Sequence, residues 1–238
     1  MKEQYNEKEL VPVRMGEKFG YINLNGEVVI PAQFDGATWF CEGLARVEMK
    51  EKYGFINERG DIVIPCKFET ADNFRGGYCS VTLAEGRESL IDRNGAFVIA
   101  PTYYFLLHYG EGVCKTEDKN YRRGLVSPQG VIAALQFDDV HKIGNAYMLV
   151  LNGKKGLANN KGIAVFPRYD NISRYFTDDI FEVYCDDKFG LIDINGEIVA
   201  PISYESEFIT PYGRPWAYAF LDGHRVFFDG NGKQIWKE

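Results

Sequence analysis

The chain is expected to be all-β, a tandem repeat of seven three-stranded β-meander units that closes as a seven-bladed β-propeller, with an open β-solenoid or twisted array as the alternative. Three observations carry this expectation. A phrase recurs: Lys18-Phe19-Gly20-Tyr21-Ile22-Asn23 returns as Lys52-Tyr53-Gly54-Phe55-Ile56-Asn57 and again as Lys188-Phe189-Gly190-Leu191-Ile192-Asp193. Its anchor positions, Gly20, Gly54, Ser89, Gly124, Gly156, Gly190 and Val226, are spaced 34, 35, 35, 32, 34 and 36 residues apart, a period typical of propellers and solenoids. Within each unit the apolar residues alternate with period two, the period of half-buried strands.

The elements follow in order within a unit. Leu44-Ala45-Arg46-Val47-Glu48-Met49 reads as a first strand, Tyr53 to Asn57 as a second and Ile62-Val63-Ile64 as a third, with short polar turns between them. Six residues after each anchor stands a glycine that never fails: Gly26, Gly60, Gly95, Gly130, Gly162, Gly196 and Gly232. These are read as turn glycines where a tight hairpin needs a residue tolerant of positive φ, several in Asn-Gly pairs that are the strongest short hairpin signal, so alanine there should cost stability rather than chemistry. In most units proline comes next, with Leu135 in its place in the fourth, and it is expected to end pairing and start the crossing to the next unit because it cannot donate to a ladder. An aromatic and an acid follow, as in Phe34-Asp35, Phe68-Glu69, Phe137-Asp138, Tyr169-Asp170 and Tyr204-Glu205. Phe40, Phe74 and Phe176 close crossings and are expected to plug the gaps between units. The single domain spans residues 10–238, in units of about 10–43, 44–77, 78–112, 113–146, 147–180, 181–215 and 216–238, after a polar lead at 1–9.

This pattern resembles the WG-repeat family, known from bacterial proteins in which an aromatic-Gly pair recurs beside Gly-Lys-x-x-Ile-x-Pro-x-Tyr-Asp. The resemblance covers Leu10 to Trp236, although no tryptophan precedes an anchor here. It implies an all-β repeat module used for interaction, with no catalytic residues to carry over.

The chain of 238 residues has a net charge of −7 and a pI near 5.2, which argues against a nucleic-acid partner. No apolar run is long enough for a membrane helix and Met1 to Glu9 is too polar for a secretory signal, so a cytoplasmic location is expected. The five cysteines lack metal-ligand spacing, and Cys79 and Cys114 occupy the first-strand position of Ala45, as small core residues. Nucleophile, zinc and phosphate-loop motifs are absent, and Asp138-Asp139, Asp178-Asp179 and Asp186-Asp187 read as solvated turn residues.

Function is expected where units stop resembling one another. The candidates for partner contact are Trp39, Tyr104, Tyr109, Arg122, Arg123, Arg174 and Tyr175, because aromatics and arginine dominate binding hot spots. The expected function is a non-catalytic module binding another protein, as scaffold, adaptor or immunity-type protein, with no cofactor, metal, nucleic acid or membrane. A glycan- or small-molecule-binding or hydrolytic propeller, with a site in the channel or between units, is the alternative.

Overall fold

The computed structural model describes residues 9–212 and 214–238; the polar lead expected at 1–9 lies outside them except for Glu9. Among the described residues, apart from a 3₁₀ turn at Ala84–Gly86, the regular structure is antiparallel strand, arranged in seven sheets. Sheet 1 comprises Val11–Met15, Lys18–Ile22 and Val28–Phe34, and sheet 2 comprises Gly36–Cys41, Leu44–Met49, Lys52–Ile56 and Ile62–Phe68. Sheet 3 is Thr70–Ala71, Tyr78–Leu83, Arg87–Asp92 and Phe97–Tyr103; sheet 4 is Phe105–Gly110, Val113–Glu117, Arg123–Ser127 and Gly130–Phe137. Asp139–Ile143, Ala146–Leu151, Lys154–Asn159 and Gly162–Tyr169 form sheet 5, and Asn171–Arg174, Ile180–Cys185, Lys188–Asp193 and Ile198–Tyr204 form sheet 6. Sheet 7 is Trp216–Leu221, His224–Asp229 and Gln234–Lys237. The chain falls into two compact units, Met1–Cys114 and Lys115–Glu238.

Sheets 2 to 6 have four strands where three were expected. The extra strand is the crossing segment, which pairs with the first strand of the next meander, as in Gly36↔Glu48 and Asn171↔Tyr184. Its peptide groups lie along an open strand edge and are satisfied by pairing there. The acid after each core aromatic starts the pairing: the amides of Asp35, Glu69, Asp138, Asp170 and Glu205 donate to the carbonyls of Glu48, Thr82, Val150, Tyr184 and Phe220 at 2.8–2.9 Å. In sheet 7 this strand is reduced to a single bridge, Ile209↔Tyr218.

The proline also sits differently from expectation. Pro31 and Pro65 lie inside the third strand, which continues to Phe34 and Phe68. That strand is the sheet edge, so the missing N–H leaves no ladder bond unmade. A bulge accompanies it: Phe55 pairs with Ile64, but Tyr53 pairs with Phe68, so two extra residues bow over Gly54. A Cβ on Gly54 would lie 2.5 Å from the Ile64 carbonyl oxygen and 2.6 Å from the Cys66 nitrogen. The anchor glycine is therefore a close-approach residue. Sheet 3 keeps the bulge with Ser89, whose hydroxyl donates to the Ile99 carbonyl at 2.5 Å. Sheet 7 lacks it, with Phe227↔Trp236 and Val226↔Lys237 in straight register, and accepts Val226.

In sheets 1, 2, 3, 6 and 7 the turn before the third strand is a three-residue loop, whereas Ser127↔Gly130 and Asn159↔Gly162 leave two-residue turns in sheets 4 and 5. The Asn57 amide donates to the Asp61 carbonyl at 3.0 Å, the Asn57 Oδ1 accepts from the Arg59 and Asp61 amides, and Gly60 takes φ +86°. A Cβ on Gly60 would also come within 3.0 Å of Ile30 in sheet 1. Position and packing thus both require glycine.

Within each unit, cores lie between consecutive sheets. Tyr21, Ile30 and Phe34 meet Ala45, Val47 and Ile56, and Phe55, Ile64 and Phe68 meet Phe74, Val81 and Ile91. In the second unit Leu157, Val165 and Tyr169 meet Ile172, Phe181 and Val183, and Leu191, Ala200 and Tyr204 meet Phe208, Ala219 and Phe228. Phe40 packs on Tyr21 at 5.1 Å and Phe74 on Phe55 at 4.8 Å between ring centroids, filling the gaps as expected. Side chains also tie crossing strands to the preceding sheet: Tyr21 donates to the Thr38 carbonyl, Arg46 to the Ala71 carbonyl, and Glu88 and Glu182 accept the amides of Leu106 and Phe208.

One buried hydroxyl breaks the pattern. Thr116 is fully buried and its Oγ1 has no hydrogen-bond partner, where Val47, Val81 and Val183 stand in other sheets. Thr116→Val is expected to raise stability by about 1 kcal/mol, read as a higher urea midpoint, because it removes an unsatisfied polar atom.

Candidate functional site

The Trp39 surface belongs to the first unit. Gly36 and Ala37 pair with Glu48 and Val47, but Phe40 pairs with Ala45, so Thr38 and Trp39 share one bulge in an edge strand. The Thr38 hydroxyl bridges the gap, 3.2 Å from both the amide and the carbonyl of Arg46. Beside the bulge lies a groove of about 210 Å³ lined by Gly36, Thr38, Arg46, Glu48 and Tyr53 among others. The Arg46 guanidinium lies 5.4 Å from the centroid of the Tyr53 ring. Trp39 itself is 54% exposed. Bulges re-aim side chains, and an exposed tryptophan is a large apolar surface left to solvent.

Tyr104 lies in the same unit, between sheets 3 and 4 in sequence, and is 52% exposed. Arg87, which the sequence reading passed over, stacks on it with the guanidinium carbon 3.8 Å from the ring centroid and donates to its hydroxyl at 2.8 Å. Tyr109 is half-buried in the strand Phe105–Gly110. Its neighbour His108 accepts the Gly112 amide at Nε2, 3.1 Å away, and burial, with the Arg75 charge, lowers its pKa, so the ring is neutral near pH 7.

In the second unit the candidate cations are engaged. Arg122 pairs with Asp138 at 2.5 Å, and Arg123 pairs with Glu117 at 2.9 Å and donates to the Asp138 carbonyl at 2.6 Å. Lys115 joins this network through Asp139 at 2.7 Å. Burial works against the charged form of Asp139, but the Lys115 and Val140 hydrogen bonds, with the Lys115 and His141 charges, outweigh it and hold the carboxyl below its ordinary range. Arg123 stands where Phe19 and Tyr53 stand in other repeats, so the network replaces an aromatic contact. Asp138, Glu117 and Asp139 thus balance the charges of Arg122, Arg123 and Lys115 within the chain. Arg174 pairs with Asp178 at 2.9 Å, both more than half exposed. Tyr175 is partly buried and packed: its ring meets Phe176 and Phe208 edge-on at 4.7 and 5.8 Å, and its hydroxyl donates to the Asp229 carbonyl at 3.3 Å.

The acidic pairs and thiols have structural surroundings. Asp186 and Asp187 form a hairpin turn with φ of 51° and 59°, and Asp187 accepts the Tyr184 hydroxyl at 2.7 Å. Burial pushes the Cys79 and Cys114 thiols up to about 12. Among the described residues no group of three or more His, Cys, Asp or Glu is placed to hold a metal. Burial also raises the Glu182 pKa, against hydrogen bonds from the Phe208 amide at 2.6 Å and the Ser173 hydroxyl at 3.3 Å. Because the folded state holds this proton more tightly than the unfolded chain, Glu182 favours folding as pH falls from its raised pKa toward the ordinary carboxylate range, and disfavours it above. Glu182→Gln is expected to raise the urea midpoint at pH 7, with the advantage fading below the ordinary range.

Sheets of copied meanders with side-chain differences gathered at the crossing strands define a class: an all-β tandem-repeat protein. The chain contains WG repeats, since the family model described as WG containing repeat matches residues 19–53 and 53–84. No relative among the curated proteins matches the chain. Solved structures similar to it include Kluyvelomyces marxianus Hsv2, 6% identical with a TM-score of 0.40, covering 97% of this chain and 94% of that one. A eukaryotic initiation factor is 12% identical with a TM-score of 0.38, covering 96% and 84%. BamB from Moraxella catarrhalis is 9% identical with a TM-score of 0.34, covering 98% and 88%. At such scores nothing about ligand or partner passes from those proteins to this chain. Among the described residues no helix is long and apolar enough to cross a membrane.

Proposed function

We propose that the chain is a non-catalytic binding module that recognises another protein through exposed aromatic positions on its first unit. The observation that carries this reading is Trp39, an exposed tryptophan on a bulged edge strand where the next repeat has Asn73. The groove beside it supports a second reading, a small ligand or glycan held by Arg46, Glu48 and Tyr53. Retention of one protein from source lysate by the parent chain, and its loss from a Trp39→Ala variant with the parental melting temperature, would support protein recognition. Retention unchanged in that variant, or a melting shift from a glycan or small-molecule screen without any retained protein, would overturn it. The surface position of Trp39 keeps the expected stability cost within about 0.5 kcal/mol.

The seven sheets are further proposed to close as a propeller, which removes exposed edges. Solution scattering should then give a radius of gyration of about 18 Å for 238 residues; a clearly larger value favours the open array. The five free cysteines favour a cytoplasmic, reducing location, which fractionation of source cells would test.

A further inference from the structure

Most repeats share an ion pair that the third one has lost. The basic residue two positions before the anchor pairs with the acid after the core aromatic: Lys18 with Asp35, Lys52 with Glu69 at 2.6 Å, Arg122 with Asp138 at 2.5 Å and Lys154 with Asp170 at 2.5 Å. In the third repeat the basic residue is Arg87, but Tyr104 stands in place of the acid. Arg87 keeps its place by donating to the Thr102 carbonyl at 3.1 Å and to the Tyr104 hydroxyl at 2.8 Å. No ion pair forms between Arg87 and a carboxylate of the described residues. A guanidinium has five N–H donors, so donors remain for a ligand.

The adjoining strand departs from the repeat in the same place. Phe105 and Leu107 are 39% and 45% exposed, on the face opposite buried Leu106. Their counterparts are Gly36 and Thr38 in sheet 2, Thr70 in sheet 3 and Asp72 just beyond its strand, and Asn171 and Ser173 in sheet 6. One repeat therefore places a cation without a counter-ion next to an apolar strip, in a chain of net charge −7.

We infer that Arg87, Tyr104, Phe105 and Leu107 form a recognition site for a protein segment in which an acidic side chain neighbours an apolar one. The partner's carboxylate takes the position that Asp35, Glu69, Asp138 and Asp170 fill from within the chain, and its apolar neighbour covers Phe105 and Leu107. The planar fork of arginine suits a carboxylate held by two hydrogen bonds, and stacking on tyrosine pre-orders it. This site rests on the protein-binding reading and names the chemistry of the partner.

The probe is an immobilised array of short peptides placing Asp or Glu beside Leu or Phe, with Asn and Gln counterparts, titrated with the full chain. Acidic peptides should bind at least about tenfold more tightly than their amides, a difference expected for loss of a charge-assisted contact. Arg87→Gln should weaken binding by a similar factor. Tyr104→Asp rebuilds the internal ion pair of the sister repeats, so it should keep the parental melting temperature and still lose the peptides. Equal binding by Tyr104→Asp, equal binding of the amide peptides, displacement by inorganic phosphate at submillimolar concentration, or no peptide binding would each overturn the site. A lysate partner lost with Trp39→Ala but kept by Tyr104→Asp would leave the protein-binding reading standing and remove this one.

Discussion

Gly54→Ala is expected to lower stability by about 3 kcal/mol, the upper end for overpacking a rigid site. A protein of this size should then melt roughly 6–12 °C lower. The atoms that a new Cβ would meet are backbone, the Ile64 carbonyl oxygen and the nitrogen and Cα of Cys66, so no side-chain rotation relieves the contact. The third strand would have to lift from Gly54, and the lift would be felt at Phe68, which the same bulge seats in the core between sheets 2 and 3. Gly54→Ser is the informative control. If its hydroxyl reaches the Ile64 carbonyl as Ser89 reaches that of Ile99, part of the loss returns; a loss equal to that of alanine would show that the two bulges differ in backbone shape.

Tyr175→Ala should cost about 3 kcal/mol, near the lower end for truncating a packed aromatic. The ring contacts Phe176 and Phe208, and Phe208 in turn meets Tyr204 at 5.3 Å and Phe228 at 4.9 Å, so the cavity would open between sheets 6 and 7. Burial, with the charges of Asp229 and Glu182, holds the phenol above its ordinary pKa, so the hydroxyl is neutral and remains a donor. Equilibrium unfolding in urea measures the effect. A change under 1 kcal/mol, with partner binding lost, would restore Tyr175 to the surface.

The repeat, its phase and its strands are legible in the sequence because copied units must bury copied side chains: Phe34, Phe68, Phe137, Tyr169 and Tyr204 recur at one offset and are all buried. The crossing strands are not legible. Gly36–Cys41, Thr70–Ala71 and Asn171–Arg174 are short and share no alternating apolar pattern, and they are strands because the next sheet offers them an open edge. The candidate residues divide along the same line. Trp39 and Tyr104 could be found as departures from the repeat, and so could Arg87, by noticing that its acid is missing. Whether Arg122, Arg123 and Tyr175 were surface or structure depended on what stood opposite them, and Asp138, Glu117 and Phe208 come from other strands or segments.

The sequence by itself therefore determined the unit, its number and its class, because a period-two pattern copied at a fixed interval admits only strands stacked through like faces. The tertiary structure alone decided the fourth strand, the reason for the anchor glycine and the fate of each charged or aromatic candidate. Those depend on hydrogen bonds and contacts that form only in the folded chain, several between segments far apart in sequence, such as Arg87 with Tyr104, 17 residues apart, and Tyr175 with Asp229, 54 apart. Local pattern carries no record of such distances.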